Sequence, residues 1–139
     1  MKVSEVRTLI EGALLAREHS YCPYSSFAVG AALITAGGKV YTGANIESSS
    51  YTPTVCAERV AMQSAVHAGE REFTAIAIVG GKKGESISAP VSPCGVCRQF
   101  MAEFCDEDFK IILYDGHEPT VYTLGELFPK SFTKKDLGR

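Results

Sequence analysis

Thr74-Ala75-Ile76-Ala77-Ile78-Val79 is a near-continuous apolar run, and its reading decides the fold. A strand with one wet face alternates apolar and polar residues, whereas a run this uniform suits a central strand covered on both faces. Helices must then lie above and below it. Working outward, residues 27–35 are dense in apolar and β-branched side chains and predict a strand. Gly37-Gly38 turns the chain, and residues 39–43 return as the antiparallel mate. Residues 109–114 predict a further apolar strand and 120–122 a short last one. Residues 4–19 set Val6, Leu9, Ile10, Ala13 and Leu14 at spacings of three and four, an amphipathic helix with Ser4 as its N-cap. A second helix is predicted over 54–67, ended by Gly69, and a third over 93–104, with Pro93 in its first turn. Residues 124–127 suggest a brief fourth helix before a tail that contains Phe132. This order predicts an α/β fold with one mixed sheet, helices on both faces, and one domain over residues 1–139.

Composition narrows the function classes. With 45% hydrophobic residues the chain has enough apolar material for a core without disulfides. A formal net charge of -2 gives no basic patch for nucleic acid and no charge run for a membrane surface. Met1-Lys2-Val3-Ser4-Glu5 lacks the apolar core of a signal peptide, and nothing approaches the roughly 18 apolar residues of a membrane span. The expectation is a soluble cytoplasmic protein. In that compartment five cysteines, an odd count, read as ligands and free thiols rather than disulfides.

Three of those cysteines fall in two motifs. Cys56-Ala57-Glu58-Arg59 and Pro93-Cys94-Gly95-Val96-Cys97 both lie at predicted helix N-termini, where unpaired N–H groups and the helix dipole favour thiolates. Catalytic zinc takes three protein ligands and keeps a fourth position for water. Cys94 and Cys97 have the gap that brings two sulfurs of one turn to one ion, and Cys56 adds a third from another helix. Three thiolates overload a divalent ion with negative charge, which makes its water less acidic. Arg59 offers hydrogen bonds to a sulfur to offset this, and Glu58 sits close enough to move protons without being a ligand. A redox dithiol at Cys94 and Cys97, or a structural site closed by Cys22 or Cys105, stays open at this point. The first leaves Cys56 idle, and the second gives Glu58 no task.

The pair of motifs resembles the zinc deaminase signature, and the chain around it resembles the small, homotetrameric cytidine deaminases. Tyr24-Ser25-Ser26-Phe27-Ala28-Val29-Gly30 is similar to that family's first strand, and Asn45-Ile46-Glu47 to its asparagine-x-glutamate block. Val91-Ser92-Pro93-Cys94 through Gln99 is similar to the second zinc block, and Leu127-Phe128-Pro129 with Phe132 to the C-terminal stretch. The likeness spans about residues 5–137, with departures at Ser49 and at Pro53-Thr54-Val55. It implies a three-layer α/β/α sandwich around a five-stranded sheet and one zinc ion per subunit. It implies hydrolysis of cytidine and 2′-deoxycytidine, with Glu58 passing protons and Cys56, Cys94 and Cys97 as ligands. It further implies that Asn45 and Glu47 bind the ribose, that Phe27 packs on the base, and that the Ala57 backbone holds the ring carbonyl. Phe132 would reach a neighbouring subunit's pocket in a homotetramer. Read from the residues alone, Asn45 and Glu47 also fit ordinary turn chemistry, Phe27 core packing, and Arg59 an exposed helix surface. A blasticidin-S-type deaminase is the nearest rival, and a nucleic-acid-editing deaminase lacks its basic surface here.

Overall fold

Over residues 1–139, all described by the computed structural model, the elements are α1 (Val3–Arg17), β1 (Phe27–Thr35), β2 (Val40–Ala44), α2 (Ala57–His67), β3 (Phe73–Lys82), α3 (Gly95–Phe104), β4 (Lys110–Tyr114), β5 (Pro119–Thr123) and α4 (Leu124–Leu127). The strands form one mixed sheet in the order β2-β1-β3-β4-β5. β1 pairs antiparallel with β2 and β3, β3 runs parallel to β4 through the α3 crossover, and β5 returns antiparallel. The apolar run 74–79 lies in β3, in the middle of this sheet. Alternate residues divide between its faces. Ile76 and Ile78 join Leu33, Met62, Met101 and Ile111 beneath α2 and α3. Ala75, Ala77 and Val79 join Ala32 and Ile112 under Leu9, Ile10 and Ala13 of α1. The predicted three layers are present. No helix is long and apolar enough to cross a membrane.

Small residues set how near the helices come. A Cβ built on Gly30 would lie 2.0 Å from the Ala13 carbonyl oxygen, so α1 rests directly on β1 there. On the other face a Cβ on Gly43 would lie 2.6 Å from both the Ala57 oxygen and the Ala61 nitrogen, so β2 supports the first turn of α2. Arg17, at the end of α1, donates to four carbonyls: Ala28 at 2.9 Å, Gly81 at 2.9 Å, Lys82 at 2.8 Å and Glu85 at 3.1 Å. One guanidinium thus ties α1 to the start of β1 and the end of β3.

Several boundaries differ from expectation, each for a tertiary or local reason. Lys2, not Ser4, is the N-cap of α1, and the Glu5 carboxylate accepts from the Lys2 N–H at 3.3 Å. Helix α2 begins at Ala57 rather than 54, because Val55 is held in a bridge by Ile46 at 2.9 and 3.0 Å. Gly69 does end it, with φ at 101° and a 3.0 Å bond from Glu70 N–H back to Ala65. Pro93 precedes α3 instead of lying in its first turn; Cys94 is the cap, and the Pro93 carbonyl accepts from Arg98 Nε at 2.7 Å. β3 continues past the apolar run through Gly80, Gly81 and Lys82, because they pair with Val29, Ala28 and Phe27. The tail also carries an unpredicted 3-10 turn at Lys134–Leu137.

Gly43→Ala is expected to destabilise the protein by about 2–3 kcal/mol through overpacking against α2. Gly37→Ala, whose Cβ would meet only Thr35 Oγ1 at 3.8 Å, should move the urea midpoint far less. Equal shifts of the two midpoints would show that the β2–α2 contact tolerates a methyl group.

Candidate active site

Cys56 and Cys94 are the N-cap residues of α2 and α3, both with extended backbone, and Cys97 is three residues inside α3. The two helix starts meet on the same face of the sheet. Their three sulfurs all lie within 4.8 Å of one another. Cys56 Sγ is 3.8 Å from Cys94 Sγ, and Cys94 Sγ is 3.5 Å from Cys97 Sγ. A tetrahedral zinc with bonds of about 2.3 Å separates its sulfurs by about 3.8 Å. The donor set therefore fits zinc. Cys97 is buried, Cys56 half-buried and Cys94 exposed, so the cluster opens to one side. Cys22 is buried elsewhere, and Cys105 packs against the core with its thiol pushed up to about 12, chiefly by burial. Neither joins the cluster, and a closed four-thiolate site has no fourth ligand here.

The electrostatics follow from this placement. Cys97 donates to Cys56, and together with the Arg59 guanidinium it holds the Cys56 thiol down to about 5. Cys97 is raised in turn, first by that bond to Cys56, then by burial and by the Glu58 charge. Arg59 Nη2 reaches Cys56 Sγ at 3.5 Å. Its buried Nε has no partner within the chain. Glu58 is only 4% exposed, an unusual position for a carboxyl group. Burial raises it to about 7, with the Cys56 charge adding to the effect. A carboxyl poised near neutral beside a metal centre can both take and give a proton. Ala57, between the ligand and the acid, is fully buried at the first helical position.

Of the remaining predicted residues, Phe27, Asn45 and Glu47 are tied together around the first loop. Ile46 pairs with Tyr21 on one side and Val55 on the other, which sets residues 45–47 between the first loop and the approach to Cys56. Asn45 is buried; its Oδ1 accepts from Val29 N–H at 2.9 Å and Ser20 Oγ at 2.5 Å, and its Nδ2 donates to the Phe27 carbonyl at 2.8 Å. One Nδ2 hydrogen remains for another acceptor. Glu47 is held by the N–H groups of Tyr24 and Ser25 at 3.0 and 3.1 Å and by the Ser25 hydroxyl. Those bonds, the hydroxyl first, hold its carboxyl below the usual range. Phe27 is 41% exposed, and its ring rests where a Cβ on Gly80 would come within 3.3 Å. It is therefore not simple core packing.

Tyr24, Ser25, Glu47, Tyr51 and Thr54 line a pocket of about 330 Å³. The sequence reading assigns no role to four of these five. A usable signal was present: Tyr24 and Tyr51 are large aromatics in polar loops, and their rings meet edge to face with centroids 6.3 Å apart. Phe132 does not join this group. It is 56% exposed, and its carbonyl accepts from Gln99 Nε2 of α3 at 2.8 Å.

Three comparisons bear on this arrangement. The family model of the cytidine and deoxycytidylate deaminase zinc-binding region matches residues 3–113. The cytidine deaminase of Sporosarcina psychrophila is 46% identical over 137 residues, spanning 96% of this chain and 95% of its own. The blasticidin-S deaminase of Bacillus cereus is 33% identical over 109 residues, 76% of this chain and 77% of its own. The crystal structure of cytidine deaminase from Burkholderia pseudomallei, 44% identical, superposes with a TM-score of 0.84 over 95% of this chain and 100% of that one.

Purified protein should contain one zinc per chain by elemental analysis, and Cys97→Ser should lose it. Arg59→Ala should keep the fold but release zinc to a chelator with roughly 10–100-fold weaker affinity, the usual scale for a residue that supports metal ligands. Unchanged zinc affinity in Arg59→Ala would remove Arg59 from that task.

Proposed function

The chain belongs to the cytidine and deoxycytidylate deaminase family, and we propose that it hydrolyses cytidine and 2′-deoxycytidine to the uridine products and ammonia. One observation carries the reading: a three-thiol cluster stands beside a buried carboxyl, Glu58, which is free of ligand duty and raised to about 7. Cys56, Cys94 and Cys97 would hold zinc. Zinc held there would supply Lewis-acid activation of a water molecule. Glu58 would accept a proton from the attacking water as the water oxygen adds to C4 of the ring. It would deliver that proton to ring N3, then take the remaining proton from the new C4 hydroxyl and pass it to the amine, so that the C4 carbonyl forms as the C4–N bond breaks and ammonia leaves. Burial supports the role, since a carboxyl near neutral serves as base and acid in turn.

The substrate contacts are part of the same proposal. Glu47 faces the pocket, and Asn45 keeps one amide hydrogen unspent, a pair suited to a ribose 3′-hydroxyl. The half-exposed Phe27 ring offers a face to the base, and Ala57 an N–H at a helix start to the ring carbonyl. The Sporosarcina psychrophila cytidine deaminase matches more of the chain, at higher identity, than the blasticidin-S enzyme does, which favours a plain nucleoside over that antibiotic. The working unit is proposed to be a cytoplasmic homotetramer with shared sites. Phe132 supports sharing: it is exposed in a polar tail, its carbonyl is bonded to Gln99 of α3, and it does not line the pocket around Glu47.

Loss of the ultraviolet absorbance of cytidine on adding zinc-loaded protein tests the reading directly. A zinc-loaded protein inert towards both cytidine and deoxycytidine would sink it. Glu58→Gln should retain zinc while kcat falls by roughly 10²–10⁴, the range for a lost acid–base group. For the shared site, Phe132→Ala should raise KM roughly fivefold or more, in line with losing one aromatic contact, or shift the assembly in sedimentation. Neither change occurring would assign Phe132 to the tail alone.

A further inference from the structure

Ser25 lies between two of the groups proposed to hold the substrate. Its hydroxyl donates to Glu47 Oε2, while the same oxygen accepts from Phe27 N–H at 3.0 Å. One donor and one acceptor exhaust what the site asks of that hydroxyl. Glu47 Oε1 is fixed separately by the Tyr24 and Ser25 N–H groups at 3.0 and 3.1 Å. The hydroxyl is thus the contact that sets the rotation of the carboxylate and the direction of Oε2. Reaching both partners requires a tight turn. Ser26, between Ser25 and Phe27, takes φ of 58°, a left-handed conformation that a residue with a side chain adopts only when its neighbours impose it. Its own backbone is pinned on both sides, with N–H to the Cys22 carbonyl at 2.9 Å and carbonyl to Lys83 N–H at 2.7 Å. Ser25 and Glu47 both line the pocket.

We propose that Ser25 is a positioning residue: by bridging Glu47 Oε2 and the Phe27 backbone it aims the carboxylate at the sugar and fixes it relative to the ring that packs on the base. This rests on the nucleoside reading above and extends it to a residue that touches the sugar only through Glu47. The consequence is selectivity. A carboxylate aimed by Ser25 matters for a nucleoside with a 3′-hydroxyl and is of little use for one without it, because a hydrogen bond absent from the substrate cannot be weakened.

The test compares cytidine with 3′-deoxycytidine for wild type, Ser25→Ala, Glu47→Gln and the double variant, with zinc content and thermal unfolding measured on each. For Ser25→Ala, the rise in KM on cytidine should exceed the rise on 3′-deoxycytidine by roughly tenfold, the scale of a hydrogen bond to a charged group. Adding Ser25→Ala to Glu47→Gln should bring little further selective loss. Ser25→Thr, which retains the hydroxyl, should recover most of the discrimination. If Ser25→Ala does not fold, Ser25→Cys carries the same comparison, since it keeps the size and replaces a strong donor by a weak one. Equal losses on the two nucleosides, or full additivity in the double variant, would overturn the proposal and leave Ser25 a turn residue. Wild-type protein inert on cytidine would instead overturn the underlying nucleoside reading, and this inference with it.

Discussion

Everything at the site depends on two helix N-termini converging on one point. Cys56 and Cys94 both occupy cap positions, where a side-chain oxygen ordinarily answers the unpaired N–H groups of the first turn. Here each cap position carries a sulfur, and neither makes a side-chain cap bond. What the helix loses in capping it returns as field, since two positive dipole ends face the place where negative charge is concentrated. Arg59 adds a full positive charge at 3.5 Å from one sulfur. Without these, three thiolates within 4.8 Å of one another would repel strongly.

The sheet divides labour between its faces. On the α1 side the contact is close and apolar, Gly30 and Ala13 nearly touching, and Arg17 binds four carbonyls across three segments. That face holds no member of the thiol cluster. The other face carries α2 and α3, and adjacency there follows from strand order: α2 packs over β1 and β2, while α3 crosses from β3 to β4. Gly43 lets α2 settle, Gly80 leaves room for Phe27 and Val91, and Val91 leads directly into the segment that delivers Cys94. Arg98 then fastens that segment, donating to the Pro93 carbonyl, to Ser92 and to the Leu127 carbonyl.

Much of this was legible in the sequence, and what was not has a common cause. The apolar run 74–79, the strand at Phe27–Thr35 and the brief helix at Leu124–Leu127 announce themselves through local pattern, which is what a single sequence records well. The ligand set was legible because its chemistry is rare. The start of α2 was not, since Val55 is withheld from the helix by Ile46, a partner outside any local window. Long-range pairing likewise extends β3 through Lys82 and spends most of the Asn45 amide on the start of β1. The 3-10 turn near the C-terminus is a different case. Thr133 and Asp136 spell a capping box, a local signal masked by the charged residues around it.

The separation of the ligands along the chain gives the centre a place in time as well as in space. Cys56 and Cys94 are 38 residues apart, with β3 between them in sequence and in the sheet. During synthesis the first thiol is therefore made well before the pair that completes the cluster. Loop-closure entropy opposes their meeting in the unfolded chain, and their convergence in the fold rests on β3 pairing with β1 and on α3 packing in the same core as α2. Zinc bound there would consequently depend on the finished fold for its ligand geometry. Its affinity then reports on the integrity of the sheet, and a defect as distant as a displaced β3 would be read out as metal loss.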